Sequence, residues 1–77
     1  MTTTRSSQGA ELDIATSLRR SLLRLAAEED AQAAEEAARI RYWEPYPVSV
    51  LGHRRAASAL RLEADRVVAP YLMQTAT

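Results

Sequence analysis

The sequence predicts an all-α fold, an antiparallel helical hairpin with a long first helix and a shorter second one. Three observations carry that expectation. Two long segments repeat apolar residues at spacings of three and four, the period of one helix face. Between them Tyr42-Trp43-Glu44-Pro45-Tyr46-Pro47 breaks the pattern and gathers every aromatic residue except Tyr71. An acidic stretch in the first segment is answered by a basic stretch in the second. No strand pattern competes, because Pro47-Val48-Ser49-Val50 is short and begins with proline.

Residues 1–9 are Thr/Ser-rich, carry one Arg and have no apolar run, so they are expected to form a flexible tail. Helix 1 is expected to start between Gln8 and Leu12 and to run to about Tyr42. Ala15, Leu18, Leu22 and Leu25 make its apolar stripe, flanked by Leu12 and Ile14. Beyond Leu25 the stripe thins to Ala26, Ala33, Ala37 and Ile40, small enough for a second helix to approach closely. Pro45 ends the helix, since the residue before a proline is pushed out of the α region.

The corner is expected at residues 42–48. Helix 2 then begins near Ser49, which suits an N-cap, and runs to about Ala69 before Pro70. Val50, His53, Ala57, Leu60, Ala64 and Val67 alternate steps of three and four, and Tyr71 continues them. That is a coiled-coil-like seam. The hairpin domain spans residues 10–73, and residues 74–77 are expected to fray.

Charge supports the antiparallel pairing. Glu28, Glu29, Asp30, Glu35 and Glu36 form an acidic block, and helix 2 carries His53, Arg54, Arg55 and Arg61. Folding back at Pro45 sets Arg54 and Arg55 near Glu35 and Glu36, and Arg61 near Asp30. Exposed pairs of this kind add about 0–1 kcal/mol each, so they select register more than they stabilise. Arg19, Arg20 and Arg24 lie beyond the reach of the acidic block.

Composition narrows the function. Seventy-seven residues allow one small domain. There is no Cys, so there is no disulfide and no thiolate metal site. The chain is 47% hydrophobic, but much of that is Ala, and Phe is absent. Such a chain buries a thin core, and self-association or a partner would complete it. All ten basic residues are Arg, and Lys, Asn and Phe are missing. That pattern reads as the coding bias of a GC-rich bacterium, its phage or a mobile element, so the arginines are no evidence of phosphate binding. No run of about 18 apolar residues exists to span a membrane, and the N-terminus is unlike a secretory signal. A cytoplasmic location is expected.

No constellation of residues supports catalysis, a metal or a cofactor. His53 is the single histidine, and the Glu-x-x-His spacing of helix-bundle di-metal sites is absent. His53 is expected to pack near the corner, and the acidic block to face solvent or the arginines of helix 2. A helical hairpin with Trp at its corner resembles the WXG secretion-substrate family in outline. That family turns on Trp-x-Gly, whereas this chain has Trp43-Glu44-Pro45, and none of the family's function is carried over.

The sequence therefore predicts a small helical protein–protein interaction module: an adaptor, an inhibitor or a self-associating accessory protein. The residues expected to meet a partner are Leu18, Leu22, Leu25, Trp43, Tyr46, Leu60 and Val67. Trp43 and Tyr46 are the type that dominates interface energetics, or they plug the open end of the hairpin. Two hairpins pairing the Leu18/Leu22/Leu25 and Leu60/Ala64/Val67 stripes would form a homodimeric four-helix bundle. The alternative is a nucleic-acid-binding accessory protein using Arg19, Arg20 and Arg24.

Overall fold

The computed structural model describes the backbone of residues 2–41 and 43–75 and the side chains of residues 9–41 and 43–72. Two helices, α1 (Thr2–Ala38) and α2 (Val48–Thr75), pack against each other as an antiparallel hairpin. The molecule is a rod of 66 × 19 × 14 Å. Its radius of gyration is 18.0 Å, against about 11 Å for a globular chain of this length.

Ala, Leu, Arg and Glu dominate α1, and all four favour helix. The tail expected over residues 1–9 is helical from Thr2 onward, and Met1 lies outside the described residues. Extending a helix already nucleated costs little per residue, and no proline interrupts this stretch. At its other end α1 stops at Ala38, short of Tyr42, which lies outside the described residues. The backbone tightens there: the Arg39 N–H donates to the Glu36 carbonyl at 3.1 Å and the Ile40 N–H to that of Ala37 at 3.2 Å. These three-residue bonds close the helix end.

The corner follows from proline chemistry. The Glu44 N–H donates to the Arg41 carbonyl at 2.9 Å, closing one turn. Pro45 and Pro47 keep Glu44 and Tyr46 out of the helical region. The reversal is spread over residues 39–47, and no described residue takes a positive φ. Ser49 is not the N-cap. The Val50 N–H donates to the Pro47 carbonyl at 3.2 Å, so Pro47 precedes the first turn and Ser49 lies within it.

Pro70 does not end α2, which continues to Thr75 and so takes in part of the stretch expected to fray. Residues 76 and 77 lie outside the described residues. Pro70 is exposed, and its missing N–H leaves one helical hydrogen bond unmade.

Among the described residues, Ala15, Ala26, Ala33, Val50, Ala57 and Ala64 are buried. The seam of α2 is the one the spacing predicts, with His53 and Leu60 half-buried between its buried members and Val67 and Tyr71 half-buried beyond them. The face of α1 keeps Ala15, Leu22, Ala26, Ala33 and Ile40 of the expected stripe and leaves out Leu18 and Leu25. Its inward residues are Ala15, Arg19, Leu22, Ala26, Glu29, Ala33, Glu36 and Ile40, while Leu18 and Leu25 are 47% and 45% exposed. Close helix approach selects the small side chains of the stripe and excludes Leu18 and Leu25 from its centre.

Register follows from His53, which touches both Glu29 and Glu36 and so lies level with Ala33. Counting along the seam sets Leu60 opposite Ala26, Ala64 opposite Leu22 and Tyr71 opposite Ala15. Large faces small at each of these layers, as in interdigitated helix packing. The reversal is centred near Trp43 rather than Pro45, which shifts this register from the one expected. The first turns of α1 then lie beyond the end of α2.

Two substitutions test this packing. Ala26→Leu places bulk against Leu60 and is expected to cost about 1–3 kcal/mol by overpacking, while Ala27→Leu, at an exposed position, leaves the thermal midpoint nearly unchanged. Gly52 lies in α2, and a Cβ there meets nothing within 4 Å. Gly52→Ala is therefore expected to stabilise the hairpin by about 0.5–1 kcal/mol in urea unfolding.

Candidate functional site

A polar layer interrupts the alanine seam near the corner. The half-buried ring of His53 lies between two carboxylates of α1. Its Nδ1 is 2.5 Å from Glu29 Oε2 and its Nε2 is 3.3 Å from Glu36 Oε1. The Ser49 hydroxyl donates to the other oxygen of Glu36 at 2.7 Å. An imidazole can donate from both nitrogens only when it is protonated. The hydrogen bond and charge of Glu29, with the charge of Glu36, hold the His53 pKa above its ordinary value. The Ser49 hydroxyl, then the charge of His53, holds Glu36 below the usual carboxylate range. This cluster ties the first turns of α2 to the last turns of α1.

That arrangement displaces the expected ion pairs. Glu36 is occupied by Ser49 and His53, and Glu35 takes Arg39, just past the end of α1, at 3.2 Å. Arg54 and Arg55 form no ion pair among the described residues. Arg61 does reach Asp30, as expected. The signal for the cluster was present in the sequence: Glu29 and Glu36 are one heptad apart, and His53 falls on the seam of α2. Charge alone marks the acidic block, whereas heptad position marks the cluster.

The corner is an exposed aromatic surface. Trp43 and Tyr46 are 62% and 60% exposed. The Arg41 guanidinium lies 5.4 Å from the Trp43 ring centroid, and that of Arg54 lies 5.8 Å from Tyr46. Val48, at 84% exposure, and Leu51 follow directly along the chain.

The residues expected to bind a partner divide into two groups. Leu22, Leu60 and Val67 are half-buried in the hairpin seam, and Ala64 beside them is fully buried, so they are engaged within one chain. Leu18 and Leu25 stay outside with Ile14, along one flank of α1. Of the three arginines of the nucleic-acid reading, Arg20 and Arg24 are exposed and one turn apart, while Arg19 is half-buried on the inward face. Arg19 instead lines an open groove of about 510 Å³ at the far end of the rod, with Leu12, Thr16, Asp65, Val68 and Leu72.

Among the described residues, no group of three metal-ligating side chains comes together, and no helix is long and apolar enough to cross a membrane. No protein family, no curated protein and no solved structure matches this chain.

The polar layer predicts a pH profile. The raised pKa of His53 contributes stability that is complete below about 6.5 and is lost as pH rises through the folded-state value. The lowered pKa of Glu36 contributes stability that is complete above about 4.5 and is lost as pH falls. The thermal midpoint by circular dichroism is therefore expected to peak between these limits and to decline on both sides. His53→Leu should flatten the alkaline decline; an identical profile above pH 6.5 would remove the role given to the ring.

Proposed function

We propose that this protein is a small helical interaction module that self-associates, two hairpins joining into a four-helix bundle. The supporting observation is a surplus of surface. The chain exposes 6198 Å², whereas a folded monomer of its mass exposes about 4,700 Å². The difference exceeds the roughly 800 Å² that each partner buries in a standard interface. The fully buried core is alanines and one valine, while Ile14, Leu18, Leu25, Leu51 and Leu62 are among the larger aliphatic side chains left exposed.

The flank of α1 carrying Ile14, Leu18 and Leu25 is the natural contact. It adjoins the half-buried Leu22 and lies to one side of the closed seam. The stripe of Leu60, Ala64 and Val67 is already covered by α1, so the paired surface is the same flank from each copy. A two-fold axis makes such a patch complementary to itself. Zero net charge leaves no long-range repulsion between copies.

Light scattering on a sizing column tests this across a dilution series. The expected result is a dimer that dissociates on dilution. Leu18→Glu with Leu25→Glu should weaken it at least about tenfold, equivalent to about 1.4 kcal/mol, while helicity is retained. A wild-type monomer at millimolar concentration, or a dimer indifferent to both substitutions, would overturn the proposal.

A further inference from the structure

We propose that the corner and the first turns of α2 form a docking site for an acidic amphipathic segment of another protein. Tyr46, Val48 and Leu51 are exposed and follow one another along the chain. Helical spacing sets Val48 one turn before Leu51, and Arg54 and Arg55 one turn after it. Leu51 thus lies between an exposed aliphatic side chain and two cations. Arg54 also leans over the Tyr46 ring at 5.8 Å, which brings the two ends of the strip together.

The charges on this strip have no counterpart among the described residues. Arg54 and Arg55 form no ion pair among the described residues, and the carboxylates the sequence would have given them are held elsewhere. Glu35 is paired with Arg39, and Glu36 with Ser49 and His53. A guanidinium stacked on an aromatic face keeps its N–H edge available to a carboxylate. The strip therefore offers apolar contact along its centre and carboxylate recognition along one edge. Tyr and Arg are also the residue types that dominate interface energetics.

A peptide fits better than a nucleic acid. Val48 and Leu51 provide nothing for a phosphate backbone, and a net charge of zero gives no broad positive field to attract one. Carboxylates on an apolar segment would satisfy the two arginines and cover the aliphatic side chains together. This inference rests on reading the protein as an interaction module, but it uses a different surface from the Leu18–Leu25 flank and does not require self-association.

The test begins with a peptide-display selection on the full chain and, in parallel, on Arg54→Glu with Arg55→Glu. Both arginines are exposed, and circular dichroism verifies that the variant keeps its helicity. The wild-type chain is expected to enrich peptides with two or more carboxylates beside apolar residues. The strongest peptide is then synthesised, labelled and titrated by fluorescence anisotropy. Binding should weaken at least about tenfold for the charge-reversed variant. It should also weaken for Leu51→Ser, and stay unchanged for the Leu18→Glu, Leu25→Glu variant. Loss of binding in that last variant would place the site on the self-association flank and overturn the inference. It would equally be overturned by enrichment of peptides without carboxylates, by equal binding to the charge-reversed variant, or by no enrichment. Tighter binding of single-stranded oligothymidylate at the same strip would assign the surface to nucleic acid. Tighter binding of a peptide of residues 26–38 would assign it to a second copy of this chain.

Discussion

The hairpin depends on small side chains lying opposite large ones along a single seam. Ala26 faces Leu60, Ala33 faces His53, Ala64 faces Leu22 and Ala15 faces Tyr71. An alanine removes little apolar area from water. Its value here is the close approach it permits, which multiplies dispersion contacts between the helices. The same close approach leaves no room for leucines at every inward position. Leu18, Leu25, Leu51 and Leu62 therefore stay outside.

The polar layer supplies what alanine cannot. A seam of near-identical small residues slides easily between registers, because each step of a heptad presents a similar surface. His53, held between Glu29 and Glu36, fits one register only. A buried polar contact that fixes register at some expense of stability is a known device of coiled coils. Ser49 strengthens it by holding the second oxygen of Glu36. The cluster lies close to the corner, so it also determines where the chain reverses and how α2 begins.

This has a consequence for the outer surface. Because Glu36 is committed to His53 and Ser49, the neighbouring arginines of α2 are left for other anions. The interior arrangement thus decides the exterior charge: Arg54 turns to Tyr46, and Arg55 faces solvent. The two proposed contacts, the leucine flank of α1 and the corner strip of α2, come from the same economy of space and charge along the seam.

The sequence by itself determined two helices, their antiparallel pairing, the break between them and the inward face of α2. Those features follow from local chemistry: the period of the apolar residues, the two prolines of the corner and the opposed charge blocks. The contact between Arg61 and Asp30 was legible for the same reason. The tertiary structure decided the exclusion of Leu18 and Leu25 from the seam of α1, the register and the partners of Glu36. Ala26 and Ala33 pack as their small size predicts, whereas Leu18 and Leu25, which share the helical period of Leu22, are left outside. The tertiary structure also decided that α2 passes through Pro70, an exposed position where one missing hydrogen bond does not halt the helix. Such choices rest on how closely two helices can approach, and that distance is a property of the pair that neither segment's pattern contains.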